Sequence, residues 1–190
     1  MRRSKIVYES FFVKYALFIC YYNPLGNSEW VFIMEGKRVS ESSLISTRWM
    51  FPSDANPVGN VFGGSIVRYI DEIAAAVAQR HSRTNVVIAS MDRMDFHTPV
   101  KVGDLLTMKA AVNYVGRTSM EIGVRVEAEN ARTGEVRHAA SAYTTMVALD
   151  NSGVPTDVPR IVPETDDELR RFREGELRRQ KRLKNRKKQH

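Results

Sequence analysis

Between Ser42 and Leu149 the chain switches between two hydrophobic periods. Ile66, Val67, Ile70, Ile73, Ala74 and Val77 recur three and four residues apart. That spacing predicts a helix that opens at Gly63-Gly64-Ser65, ends near Arg80-His81 and turns one apolar face to a core. The two basic residues suit a helix C-terminus. Elsewhere the period shortens to two. In Thr118 to Asn130, Met120, Ile122, Val124, Val126 and Ala128 alternate with Ser119, Glu121, Gly123, Arg125 and Glu127, the pattern of a half-buried strand. Leu44 to Phe51, Val86 to Met94, Leu105 to Val115 and Val136 to Leu149 also read as strands. The links between the last four strands contain Gly103-Asp104, Gly116 and Gly134, which suggests antiparallel pairing in chain order. The expected class is α+β, in the order β-α-β-β-β-β, with one long helix covering one face of one antiparallel sheet.

The flanks look different. Phe11 to Tyr22 is apolar and aromatic and follows Arg2, Arg3 and Lys5, the charge order of a signal peptide. Lys14 interrupts the run and no small-x-small cleavage site follows. The expectation is that residues 1–33 form an extension outside the core, with Met34 an alternative start. Residues 34–163 form the domain. Residues 164–190 form a basic helix or tail: Asp166 to Lys188 places acids first and bases last, as the helix dipole favours. Its apolar residues are sparse (Leu169, Phe172, Leu177, Leu183), so a solvated helix with a frayed far end, dispensable for turnover, is expected.

Composition sharpens this division. The 190 residues carry 29 Lys+Arg and 22 Asp+Glu, a net charge of +7. Asp166 to His190 holds 11 bases and 5 acids, or +6; Met1 to Ile33 holds 4 and 2, or +2; the span between holds 14 and 15, or −1. The basic character therefore belongs to the ends. No run of about 20 apolar residues is present, so no membrane helix is expected. One cysteine, Cys20, excludes an internal disulfide and a multi-thiolate zinc site, and fits a reducing, cytoplasmic setting.

Candidate chemistry gathers at the start of the helix. Asn56-Pro57-Val58-Gly59-Asn60-Val61-Phe62-Gly63-Gly64 is a turn-rich loop that delivers two glycines to the first helical turn. Glycines there give up helix propensity but leave free N–H groups and the positive dipole end open to a carbonyl or an anion. Asp71 follows Gly64 by seven residues, two turns on and nearly on the same face, among Ile70, Ile73, Ala74 and Ala75. A carboxylate there needs a partner or a role. A tight turn and a solvated aspartate would explain the same residues without chemistry. Gly63-Gly64-Ser65-Ile66-Val67 lacks the last glycine of a nucleophile elbow. His81, His97 and His138 have no metal spacing. Trp30 and Trp49 read as packing residues.

The ordered set of motifs resembles the hotdog-fold acyl-CoA thioesterases, the acyl-CoA hydrolase branch. Asn56-Pro57-x-Gly59, Phe62-Gly63-Gly64 and Asp71-Glu72 carry the resemblance. So do Asp95-Phe96-x-x-Pro99-Val100-x-Val102-Gly103-Asp104, Val115-Gly116-Arg117-Thr118-Ser119-Met120 and Val147-Ala148-Leu149-Asp150. It covers about Leu44 to Pro159 and implies a hotdog, an antiparallel sheet wrapped around one long central helix. It also implies a site shared between two subunits, in a dimer or a trimer of dimers. Asp71 would activate water or attack the thioester carbonyl itself. Asn56 would position water or the carbonyl, and the Gly64 N–H would stabilise the oxyanion. Phe62 and Gly63 flank that point. Gly116, Arg117, Thr118 and Ser119, with Arg93, would meet the phosphates of coenzyme A.

The implied reaction is hydrolysis of acyl-CoA to a carboxylic acid and coenzyme A. It needs no metal and no cofactor beyond the substrate. Two other readings share the fold. A hotdog dehydratase usually pairs an Asp with a His in its helix-start motif, and no His occurs between Met34 and Arg80. A non-catalytic acyl-CoA-binding or regulatory hotdog would use the basic end on nucleic acid, but no aromatic interleaving or nucleic-acid motif accompanies those bases.

Overall fold

The computed structural model describes residues 10–13, 16–22, 28–34 and 36–186, with side chains from Gly36 to Asn185 apart from Arg93. Three strands, β1 (Ser10–Val13), β2 (Ala16–Tyr22) and β3 (Ser28–Met34), pair antiparallel as a sheet of their own. Two short strands, β4 (Lys37–Arg38) and β10 (Ile161–Val162), pair in parallel.

The body is a five-stranded antiparallel sheet around the helix α1 (Gly63–Ser82). Its strands are β5 (Leu44–Trp49), β6 (Asn85–Phe96), β7 (Asp104–Val115), β8 (Ser119–Asn130) and β9 (Val136–Leu149), in the spatial order β5-β7-β8-β9-β6. The alternation read in β8 is the observed one. Met120, Ile122, Val124, Val126 and Ala128 are buried in a core shared with Ile66, Ile70, Ile73, Ala74 and Val77 of α1.

Pairing in chain order holds for β7-β8-β9 but fails for β6. That strand crosses to the far edge and pairs with β9, so Gly103-Asp104 does not close a hairpin between β6 and β7. Gly103, at φ +91°, instead turns the chain into β7. Asp104 secures that turn, accepting from the Lys101 N–H at 2.9 Å and from Arg137 at 2.6 Å. As an edge strand, β6 is bulged twice, between Ile88 and Ser90 and between Met91 and Arg93, and it exposes Val87, Ile88 and Phe96.

The end of α1 differs from expectation in one respect. Arg83 closes the helix in the left-handed conformation at φ +61°. His81 is not the cation that favours the dipole. It is fully buried, and burial lowers its pKa and keeps the ring neutral. Its Nε2 lies 2.9 Å from the Pro159 carbonyl and its Nδ1 3.3 Å from Ser42 Oγ. Lys37 supplies the charge, donating to the His81 carbonyl at 2.5 Å.

The second helix, α2 (Asp166–Arg186), is not the solvated helix expected from its composition. It lies across the sheet face opposite α1. Glu121 of β8 is 1 % exposed and receives Arg178 at 2.7 and 3.1 Å and Arg182 at 3.2 Å. Arg182 also pairs with Asp92. The Arg178 guanidinium stacks 3.9 Å from the Tyr143 ring centroid, and Phe172 packs on Tyr114 at 5.1 Å. Gly175 permits this approach, since a Cβ there would stand 2.9 Å from Tyr114 and 3.0 Å from Glu121. Among the described residues no helix is long and apolar enough to cross a membrane.

Candidate active site

The loop before α1 is held by Asp54. One carboxylate oxygen accepts the Phe51 N–H at 3.0 Å and the other the Tyr69 hydroxyl at 2.8 Å. The Asp54 carbonyl receives the Phe62 N–H at 2.8 Å. Burial, then the bond to Asp54, raises the Tyr69 pKa, so the phenol stays protonated and donates. The Arg48 guanidinium lies over the ring, 3.8 Å from its centroid. Asp54 and Tyr69 therefore tie the loop to α1, a role the sequence did not reveal. Nothing in a spacing of fifteen residues predicts the contact.

Asn56 sits in the turn so anchored. Its Oδ1 accepts the Val58 N–H at 3.0 Å and the Asn60 N–H at 3.1 Å, and Gly59 turns the chain at φ +81°. With the oxygen occupied, Nδ2 is the group left to act on a ligand, as a donor. Asn56, Gly63, Ile66, Phe96 and His97 line a cavity of about 350 Å³. His97, which the sequence offers only as a loop histidine without metal spacing, is on the wall of this cavity. It stacks on His138 with ring centroids 4.5 Å apart.

Phe62 is exposed and caps α1 without a side-chain bond. Among the described residues the Gly63 and Gly64 N–H groups donate to no backbone carbonyl, while those of Ser65 and Ile66 reach the Phe62 carbonyl. A Cβ at Gly63 would stand 3.5 Å from Phe96 and one at Gly64 3.8 Å from Phe62, ordinary contacts. The chain's own packing therefore does not require glycine at either position. Asp71 is half-buried on α1, makes no hydrogen bond or ion pair to the described residues, and does not line the cavity.

The Gly116-Arg117-Thr118-Ser119 turn lies elsewhere. Ser119 pairs with Val147, and Val147 pairs with Val87 at the start of β6. The cavity residue Phe96 is nine positions further along β6, about 30 Å at 3.3 Å per residue. One chain thus holds Asn56 and Gly63 at one end of its sheet and the turn at the other. Arg117 is largely exposed, and its one ion-pair partner among the described residues is Asp157, at 3.2 Å. The Arg93 side chain lies outside the described residues. Among the described residues no group of three or more His, Cys, Asp or Glu gathers as metal ligands would.

An antiparallel sheet wrapped on one long helix defines a hotdog protein. Residues 58–135 match the thioesterase superfamily model. The chain belongs to the acyl-CoA thioester hydrolase family. It is 43% identical over 135 residues to the uncharacterized acyl-CoA thioester hydrolase YkhA of Bacillus subtilis, a match covering 71% of this chain and 78% of that one. It is 41% identical over 138 residues to the cytosolic acyl coenzyme A thioester hydrolase of Rattus norvegicus, covering 72% of this chain and 36% of that longer protein. The acyl-CoA hydrolase of Staphylococcus aureus, solved with butyryl coenzyme A and coenzyme A, superposes with a TM-score of 0.76 at 38% identity. That match covers 80% of this chain and 93% of that one. An apo-hexameric acyl-CoA thioesterase gives 0.78 at 41%, covering 80% and 97%.

Proposed function

We propose that the protein hydrolyses acyl-CoA to a free carboxylic acid and coenzyme A, in the cytoplasm, at a site completed by two chains. The observation that carries the reading is the Gly64 N–H at the start of α1, which meets no carbonyl among the described residues, together with Asn56 Nδ2 on a cavity that no acid of the described residues lines. Structures of the S. aureus hydrolase include variants with an asparagine and an aspartate replaced by alanine. Those two positions are fifteen apart, the spacing of Asn56 and Asp71. A replaced threonine lies seventeen beyond the aspartate; the same count reaches Ile88 here, so this chain offers no hydroxyl there.

The thioester carbonyl oxygen would lie between Asn56 Nδ2 and the Gly64 N–H, where negative charge develops as the carbonyl becomes tetrahedral. Asn56 is read as a donor to the carbonyl, because its own oxygen is occupied. The Asp71 carboxylate of the other chain takes a proton from water as the C–O bond forms, or forms that bond itself before water releases the acid. The C–S bond breaks and the thiolate leaves, to be protonated by solvent. A thiolate is a good leaving group, so the step calls for only modest activation. Pairing across the edge strand β6 supports the assembly. Two antiparallel β6 strands would bring the cavity end of one chain to the opposite end of the other. Three such dimers would make a hexamer.

The reading is tested by thiol release from acyl-CoAs of acetyl to palmitoyl length. Turnover of at least one is expected; none across the series would refute hydrolysis. The assignment of the phosphate-binding turn is tested by Arg117→Ala. A guanidinium–phosphate contact remote from the thioester contributes mainly uniform binding, so KM should rise while kcat is largely kept. A large fall in kcat at constant KM would contradict it.

A further inference from the structure

The arginines of α2 divide by partner. Arg178 and Arg182 go to Glu121 and Asp92, and Arg170 and Arg171 to Asp167 on the helix itself. Arg179 goes to none of these. It makes no hydrogen bond or ion pair with the described residues, and Tyr114 lies 6.0 Å away, at the limit of a cation–π contact. Its guanidinium rests on the backbone of Gly116. A Cβ at Gly116 would stand 3.0 Å from Arg179 Nε and 3.3 Å from Cζ, with Ser119 Oγ at 3.2 Å. The seat of Arg179 thus gives a physical reason for glycine at 116.

The turn beneath it is rich in unused donors. The Gly116 N–H is committed to the Ser119 carbonyl at 2.7 Å, but the Arg117 and Thr118 N–H groups donate to no backbone carbonyl among the described residues. Arg117 lies on the same turn, its side chain 79% exposed and tied only to an exposed aspartate, a pairing of little strength in water. Two guanidinium groups therefore accompany a turn that offers two N–H groups and two hydroxyls, the donor set for a phosphate. Arg179 is held there by its neighbours, because the buried pairs of Arg178 and Arg182 fix the helix on both sides of it.

We infer that Arg179 is a substrate-binding residue for the nucleotide end of coenzyme A, presented by the C-terminal helix opposite Arg117. The inference rests on the reading that the Gly116–Ser119 turn receives that end of the substrate. It gives α2 a share in substrate selection: acyl thioesters that carry phosphates are retained over those that do not.

The test compares kcat/KM for one acyl-CoA and the matching acyl-pantetheine, which lacks the nucleotide, in Arg179→Gln, Arg179→Lys and Arg117→Gln. Near-ultraviolet circular dichroism verifies that α2 stays docked. Arg179→Gln should lower the ratio of the two values about tenfold, chiefly through KM for acyl-CoA, and Arg179→Lys should recover most of it. The effect should shrink as salt rises. If Arg117→Gln lowers the ratio and Arg179→Gln does not, the role of α2 is overturned while the turn stands. If neither lowers it, the turn is not where the nucleotide binds, and both readings fall.

Discussion

Asp71→Asn is expected to abolish acyl-CoA hydrolysis while leaving the fold and the assembly intact. The amide is nearly isosteric but is neither a base nor a nucleophile. Asp71 forms no ion pair or hydrogen bond with the described residues, so the substitution removes no polar contact among them. Asn56→Ala should cost about 10²-fold, the scale of one lost donor to an oxyanion. The shared site makes a stronger prediction. If each site takes Asn56 from one chain and Asp71 from the other, the two inactive variants should complement. Refolded together in equal amounts, about half the dimers are mixed, and each mixed dimer holds one intact and one doubly altered site. Half the dimers with one of two sites working gives about a quarter of wild-type activity. Mixed dimers no more active than the separate variants would show that each chain builds its own site.

The largest effect on stability is expected from Arg178→Ala. Glu121 has a side chain with no exposure and depends on Arg178 and Arg182 to offset its desolvation. Removing Arg178 deletes the stronger pair and the stacking on Tyr143, and leaves the buried carboxylate with Arg182 at 3.2 Å and Asn113 Nδ2 at 3.4 Å. Losses of this kind are about 3 kcal/mol or more, several times that of an exposed ion pair. Arg170→Ala, which breaks only exposed pairs along α2, is the control and should leave the urea midpoint unmoved. Equal midpoints for the two variants would mean that the Glu121 cluster adds nothing to the fold.

Legibility in the sequence followed the kind of force involved. The strand β8 was readable because its two faces meet different surroundings, the core on one side and polar groups on the other. Helix α1 was readable for the same reason at a period of 3.6. The partner of β6 was not, because alternation identifies a strand without naming its neighbour. A glycine-containing link reads alike whether it closes a hairpin or leads a chain across to the other edge. The docking of α2 was hidden for a different reason. Its contact face is built from arginines that meet Glu121, Asp92 and Tyr143, so a search for apolar stripes finds little. Candidate site residues were identifiable where backbone chemistry is unusual, as at Gly63 and Gly64. Asp54 and Tyr69, which hold that place together, act through side chains joined only by the fold.

The start of α1 also records a trade between durability and work. Gly63 and Gly64 have room for a methyl group and no left-handed backbone to accommodate, and each gives up helix propensity, up to about 1 kcal/mol relative to alanine. Folding alone would favour alanine at both. The chain therefore keeps the first turn of its central helix weaker than its own architecture requires. Engineering for heat resistance would be drawn to these two positions first, and would find there substitutions that strengthen the protein by closing the place where the proposed reaction brings the thioester carbonyl.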